Sequence, residues 1–347
     1  MLSPIELRSD NAAGAAPELV AAIADANRSS ALAYGGDAVT ARLHEVAQEV
    51  FEHPEAHVFP VVSGTAANSL ALSALCPPWG SVVCHETSHI YVNECGATSM
   101  FGGGAVIRGI PGDGYKVHPD GLRRVFATTN WCDAHHSQPS VLSLTCPTDF
   151  GTVYTPAEVA ALSAVAAERG LRRHLDGARI ANAVVANGCT PAELTWRAGV
   201  EVISLGAIKN GAVSTDAIVS FDPEVNEALG YRLKRSGHVA SKMRFQSAQL
   251  IAYLTDGLWL RLAGRSNAAM ARLAAGLAGV DGVELLNDPQ ANMLFLHVGE
   301  DVERRLADDA ALLFYGMGGG VIRFVTSFQT TDDDVDEVLR RFTSVVG

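Results

Sequence analysis

The sequence predicts an α/β protein in which the ends of the strands carry the chemistry. Short apolar runs of β-like composition alternate with intervals of helical spacing along most of the chain. Two of these runs end in a charged residue beside small ones: His174-Leu175-Asp176-Gly177-Ala178-Arg179, and Val202-Ile203-Ser204-Leu205-Gly206-Ala207-Ile208-Lys209-Asn210-Gly211. Open α/β sheets bind ligands at the carboxyl ends of their strands, so Asp176 and Lys209 are expected to converge on one crevice. A length of 347 residues suits two domains rather than one small core.

Composition narrows the function classes. A hydrophobic content of 48% beside 18% charged residues describes a globular chain with a large interior. The formal net charge of −12 and the lack of a Lys/Arg cluster argue against nucleic acid as a partner. No apolar run approaches a membrane span, and Met1 to Asn11 lacks the basic-then-apolar order of a secretory leader, so a cytoplasmic chain is expected. The six cysteines (Cys76, Cys84, Cys95, Cys132, Cys146, Cys189) show no CxxC spacing, which fits a reducing compartment.

In chain order, Leu2 to Asp10 is a short arm and Pro17 opens a helix through about Asn27. Tyr34-Gly35-Gly36-Asp37 is a turn, and Asp37 or Thr40 caps a helix whose apolar face holds Leu43, Val46, Ala47 and Val50. A strand from His57 to Val62 runs into Ser63-Gly64-Thr65 and a further helix. Backbone N–H groups and the positive dipole end make such a junction an anion cradle, although many Ser-capped helices share the string.

Strand Ser81–Cys84 leads to His85-Glu86-Thr87-Ser88-His89, which matches HExxH. Zinc chemistry needs both histidines one turn apart on a single helix. Here the string spans a strand end and a helix start near His89, which sets the two imidazoles apart. His89 is then placed to stack on a planar ligand. Cys132, His135 and His136 read as a solvated loop. Ala105 to Ile110 and Val141 to Thr145 are strands, and Asp149 follows the second, where it serves either as an acid–base group or as a turn residue before Gly151. Thr155-Pro156-Ala157-Glu158 is a capping box opening a helix through Gly170. Beyond Lys209 come a strand from Ala217 to Phe221, helices from Pro223 to about Gly237, Ser241 to Leu254 and Trp259 to Leu277, and short strands near Val283, Met293–Val298 and Val321–Val325. A composition shift near Gly237 to Ser241 marks the expected domain boundary.

Taken together, Ser63, Gly64, Thr65, His89, Asp149, Asp176, Arg179 and Lys209 make an anion cradle, an imidazole, carboxylates, a guanidinium and one amine. Pyridoxal phosphate needs that set: an amine for its aldehyde, a carboxylate for its ring nitrogen and N–H groups for its phosphate. Arginine is the natural fork for an amino-acid carboxylate.

The chain resembles the low-specificity L-threonine aldolases of the β-eliminating lyase group. The resemblance runs through Leu7-Arg8-Ser9-Asp10, Tyr34-Gly35, Ser63-Gly64-Thr65-Ala66-Ala67-Asn68, His89, Gly151-Thr152-Val153-Tyr154, Leu175-Asp176-Gly177-Ala178-Arg179, Lys209-Asn210-Gly211, Ser241-Lys242-Met243-Arg244 and Ile322-Arg323-Phe324. It implies the aspartate-aminotransferase-like fold (fold type I), with a mixed, mostly parallel seven-stranded sheet and a smaller C-terminal α+β domain. The implied division is an arm and helix over 1–33, a cofactor-binding domain over 34–238 and a small domain over 239–347.

By the same resemblance Lys209 is the Schiff-base lysine, Asp176 the partner of the pyridinium nitrogen, Gly64 and Thr65 the phosphate ligands, and His89 the stacking ring. Ser9, Arg179 and Arg323 hold the substrate carboxylate. Tyr34 and Arg244 act across a subunit interface of a dimer or dimer of dimers, a homotetramer in the latter case. The implied substrates are β-hydroxy-α-amino acids, cleaved to glycine and an aldehyde, with no metal required. Many relatives carry a second active-site histidine where this chain has Asp149, so the base assignment does not transfer; His89, Asp149 or a water between them can fill that role. The alternatives are another pyridoxal-phosphate reaction (β-elimination or transamination), a zinc hydrolase built on His85, Glu86 and His89, and an idle dimeric scaffold.

Overall fold

The computed structural model describes residues 3–346. Its larger sheet contains β2 (His57–Val61), β3 (Gly80–His85), β4 (Val106–Ile110), β5 (Gln138–Thr145), β6 (Arg172–Gly177), β7 (Val202–Leu205) and β8 (Asp216–Ser220), in the order β2-β8-β7-β6-β5-β3-β4. β8 pairs antiparallel with both its neighbours, and the remaining pairs are parallel. Strands β3, β7 and β8 are buried along their whole length, as a sheet covered on both faces requires.

The two-residue period of a strand divides these apolar runs between the faces. Val83, Leu142, Leu144, Ile203, Leu205, Ala217 and Val219 enter one core. Their neighbours Val82, Cys84, Val141, Val202 and Ile218 enter another. Helices Ala38–Phe51, Pro156–Ala167, Ile180–Asn187 and Arg244–Leu254 cover the first face; Gly64–Leu75 and Pro223–Arg235 cover the second. His174, which opens the central stretch, is buried between the hydroxyls of Ser143 and Ser204 at 2.9 and 3.1 Å, and burial pushes its imidazole down to about 4.

A second sheet, ordered β12-β13-β10-β9, contains β9 (Glu284–Leu285), β10 (Met293–His297), β12 (Tyr315–Gly318) and β13 (Val321–Val325). It packs with Leu258–Leu277 and Asp332–Val346 around a separate core of Leu294, Leu296, Ile322, Phe324, Val338 and Phe342. The N-terminal arm joins this core: β1 (Ile5–Glu6) pairs in parallel with β11 (Leu312–Leu313), and Leu7 is bonded to Leu313 and Val325. Past the boundary expected at 238–239, Leu250 to Ala263 still add to the first core, and the second core takes over only at Ala269.

Local signals held at most helix starts. Asp37 accepts from the Thr40 N–H, Ser63 from that of Ala66, and Thr155 with Glu158 forms the expected reciprocal cap. Ser88, in contrast, makes no side-chain cap, and the helix there is only His89–Val92. The helix expected from Ser241 begins at Arg244, after a turn. Helices Pro119–Thr128, Glu300–Asp308 and Asp332–Val346 and strand β12 were not anticipated. Pro119 at a first helical turn and the Asp332-Asp333-Asp334 run were signals for two of them. Glycine-rich β12 carries none.

Candidate active site

The carboxyl ends of β2, β3, β5, β6 and β7 and the start of β8 lie along one edge of the large sheet, around a cavity of about 220 Å³. Ser63, Gly64, Thr65, His89, Asp149, Asp176, Arg179 and Lys209 all line it. Two glycines allow the loops after β6 and β7 to touch. A Cβ on Gly206 would stand 2.0 Å from the Ala178 carbonyl oxygen, and one on Gly177 would stand 2.8 Å from that of Ser204. This close approach brings the Lys209 turn against the Asp176–Arg179 turn. Asn210 locks it from behind, donating to Tyr253 Oη at 2.9 Å and to the Trp259 carbonyl at 2.8 Å.

Lys209 forms no ion pair among the described residues. The charge of Arg179, and then burial, push its ammonium below the usual lysine range against the pull of Asp10, Asp176 and Asp216. Asp176 is 2% exposed; its Oδ1 accepts from the Ala178 N–H at 3.1 Å and its Oδ2 from Asn68 Nδ2 at 2.9 Å. Arg179 is gripped by Asp10, with Nε to Oδ2 at 2.6 Å and Nη2 to Oδ1 at 3.0 Å. Asn292 Nδ2 donates to the same Asp10 Oδ2 at 3.1 Å.

His89 is fixed twice. Its backbone N–H donates to Asp149 Oδ2 at 3.0 Å, and its Nδ1 lies 2.9 Å from Glu94 Oε1. Burial, reinforced by Asp176, raises the Asp149 carboxyl above its ordinary range, although His89, Arg179 and Lys209 pull the other way. Asp216 lines the cavity beside the cradle, its Oδ1 accepting from the Ala207 and Ile208 N–H groups at 2.7 and 3.0 Å. Among the described residues the N–H groups of Gly64 and Thr65 meet no protein acceptor.

Four predicted residues stand apart from this lining. Ser9 caps the turn that carries Asp10 and Asn11, and Asn11 itself reaches the cavity. Arg323, on β13, donates from Nη2 to the Arg8 carbonyl at 3.2 Å, and its Nε is buried without a partner among the described residues. Tyr34 is exposed, with Lys234 Nζ 4.7 Å from its ring centre; it lines a different cavity together with Met243. Arg244 donates from Nε to the Ala26 carbonyl at 3.2 Å. Within one chain neither Tyr34 nor Arg244 reaches the cavity.

The HExxH string does not close on itself. Both ring nitrogens of His85 are engaged, Nδ1 by Thr87 Oγ1 at 2.8 Å and Nε2 by the Gly112 carbonyl at 3.1 Å, while Glu86 is exposed. Asp10, Asn68, Glu94 and Asp216 were missed as site residues. Asp10 and Asn68 stand in the Leu7–Asp10 and Ser63–Asn68 segments that carry the family resemblance. Glu94 and Asp216 have no local signature, because their partners come from elsewhere in the chain.

The chain has relatives among known proteins. The beta-eliminating lyase family model matches residues 6–301. The chain is 40% identical to the low specificity L-threonine aldolase of Pseudomonas aeruginosa over 342 residues, covering 99% of this chain and 98% of the relative. The enzyme of the same name from another Pseudomonas strain is also 40% identical, over 96% and 95% of the two chains. A solved structure of Leishmania major threonine aldolase superposes with a TM-score of 0.92 at 25% identity, covering 99% of this chain and 100% of that one. Aspartate aminotransferase from Thermus thermophilus, at 18% identity and a TM-score of 0.72, shares the fold across 99% of this chain and 92% of its own. With the family model matching residues 6–301 and the Pseudomonas relatives aligned over nearly the whole chain, the chain belongs to the beta-eliminating lyase family, on the aspartate-aminotransferase-like fold.

Proposed function

We propose that this chain cleaves the Cα–Cβ bond of L-threonine, L-allo-threonine and related β-hydroxy-α-amino acids such as phenylserine, giving glycine and an aldehyde, and that it catalyses the reverse addition. The observation that carries this reading is one cavity holding an amine that forms no ion pair among the described residues, a buried carboxylate and a helix N-terminus, with an arginine fork beside them.

Pyridoxal phosphate fits the residues present. The Gly64 and Thr65 N–H groups are free to take phosphate oxygens, and a side chain on Gly64 would intrude on that space, whose nearest neighbour is Asp216 Oδ2 at 3.9 Å. Asp176, buried and held by two hydrogen bonds, suits a protonated ring nitrogen. Lys209 would supply the amine for the aldehyde, and Ser63 would add a hydroxyl to the cradle. When bound, the cofactor supplies an electron-poor ring that takes up the electron pair released from the breaking bond.

The chain's own groups do the rest. Arg179, steadied by Asp10, grips the substrate carboxylate, which sets the Cα–Cβ bond in one orientation. Ser9 and Arg323, which stand outside the cavity lining, are assigned to the same carboxylate by the family resemblance. His89 would stack on the ring. His89 Nε2, the Asp149 carboxylate or a water held by both removes the β-hydroxyl proton. A neutral Lys209 is the nucleophilic form, and the neighbouring guanidinium favours it.

Tyr34 and Arg244 complete the site from a second copy, in a dimer or a dimer of dimers forming a homotetramer. Their position outside this chain's own cavity supports that reading. Among the described residues no helix is long and apolar enough to cross a membrane. We assign the chain to the cytoplasm, where its exposed thiols Cys95 and Cys132 stay reduced. The limit between its two main units is best drawn inside Leu258–Leu277, where the helix passes from one core to the other.

The test is product analysis. Purified protein with pyridoxal phosphate should convert L-threonine to glycine and acetaldehyde and phenylserine to glycine and benzaldehyde. Pyruvate, ammonia or a keto acid in their place would mean elimination or transamination. Lys209→Ala should lose both the visible absorption of the bound cofactor and the cleavage activity.

A further inference from the structure

Glu94 sits in no motif, two residues past the His89–Val92 helix, and its side chain is fully buried. Its Oε1 receives two contacts at 2.9 Å, from His89 Nδ1 and from Asn68 Nδ2. The same Asn68 nitrogen donates its other hydrogen to Asp176 Oδ2 at 2.9 Å. One amide group therefore bridges two carboxylates, and the arrangement forms a continuous chain, His89–Glu94–Asn68–Asp176. Asp149 holds the backbone of His89 from the other side, and His89 Nε2 meets no protein group among the described residues.

A buried carboxylate is a poor stabiliser, since well-packed neutral residues usually replace it at little cost. Its effect on the neighbouring imidazole is specific. Burial raises the Glu94 carboxyl above its ordinary range while the bonds from His89 and Asn68 pull it back. Its Oε1, already accepting from Asn68, offers Nδ1 a lone pair, which obliges that nitrogen to carry hydrogen and leaves Nε2 as the nitrogen that gains or loses a proton. Three carboxylates face His89: Glu94 from its own segment, Asp149 from the loop after β5 and Asp176 from β6. Their combined field favours the imidazolium, and the Glu94 hydrogen bond is the largest contributor.

We propose that Glu94 is a positioning residue that fixes the tautomer, orientation and charge of His89 and, through Asn68, ties them to the carboxylate of Asp176. The consequence for catalysis rests on the aldolase reading above; the consequence for His89 does not.

Because both contacts fall on Oε1, Glu94→Gln can keep them through its amide oxygen while removing the charge. Glu94→Leu removes both. In cofactor-free protein, nitrogen NMR of His89 should show the Nδ1–H form in the wild type. In Glu94→Gln the tautomer should persist and the titration move down by about one pH unit or more. In Glu94→Leu the tautomer preference should be lost. In the loaded enzyme, Glu94→Gln should lower kcat for L-threonine about tenfold, with KM and cofactor affinity within about twofold and the acid limb of the kcat profile displaced downward. An unchanged thermal midpoint for Glu94→Gln shows that folding is not the cause. If His89 titrates alike in all three proteins, or kcat and its pH profile do not move, Glu94 has no such role. If the wild type makes no glycine from L-threonine, the aldolase reading fails while the NMR comparison still decides what Glu94 does to His89.

Discussion

Asp10 shows how a single buried charge is held in place by its neighbours. Burial alone would raise its carboxyl, but the Arg179 guanidinium, with hydrogen bonds from Arg179 and Asn292, outweighs that and holds it below the ordinary carboxylate range. A folded-state value below the unfolded one stabilises the protein above the unfolded value, and that contribution fades as pH falls through the folded one. The fork is then a rigid clamp at neutral pH and loosens in acid. Asp10→Asn keeps the shape but discards a paired charge worth about 1.5–3 kcal/mol. KM for L-threonine should rise at least about tenfold, more than kcat falls, and steady-state kinetics will distinguish that from a general loss of activity. Asn292, buried and bonded to both Asp10 and the Thr326 carbonyl, carries this clamp from the arm to the second core.

At the level of elements, catalytic geometry depends on how closely two turns can pack. Gly206 donates its N–H to the Gly177 carbonyl at 3.0 Å, and Tyr253 Oη donates to the Gly206 carbonyl at 3.1 Å. A methyl group at position 206 would overlap the Ala178 backbone, and backbone cannot swing aside as a side chain can. Gly206→Ala should therefore separate the Lys209 turn from the Asp176 turn, weakening cofactor retention at least about tenfold and lowering the thermal midpoint. Absorbance titration with pyridoxal phosphate and calorimetry would check both. Unchanged retention would show that the turns have slack. By comparison, the Ser63 cap is a local device: Ser63→Ala should cost about 1 kcal/mol of stability by itself.

For the whole molecule, the cavity edge belongs to the large sheet and the cores on its two faces, whereas Arg323 lies on β13 of the second sheet and Asp10 on the arm that clips onto that unit. On the proposed assignment of Arg323 to the substrate carboxylate, substrate binding would draw on both of these units. Completion from a second copy makes a further prediction. Lys209→Ala and Arg244→Ala should each be nearly inactive, yet mixing them under subunit exchange should restore part of the activity, because some sites then receive an intact Lys209 and a partner's intact Arg244. No recovery after exchange verified by mass spectrometry would place Arg244 outside the site.

Much of this was legible beforehand, and the pattern of omissions has a physical cause. Ser63, Gly64, Thr65, His89, Asp149, Asp176, Arg179 and Lys209 could be picked out because each follows a strand or opens a helix. Apolar period, caps and small residues are local features of the chain, and they determine where strands end. The fold class followed from the same signals together with family resemblance. Glu94 and Asp216 were invisible, and Asp10 and Asn68 were visible only as motif letters. Their importance lies in which charges they face, and those partners are far away in sequence: Asn68 and Asp176 are 108 residues apart, Asp10 and Asn292 are 282 apart. Hydrogen bonding, desolvation and Coulomb attraction act through space, with no periodic trace along the chain. The sequence by itself determined the strands, their ends and the reactive groups placed there. Only the tertiary structure decided which carboxylate holds Arg179, which one holds His89, and that a single asparagine joins the latter to Asp176.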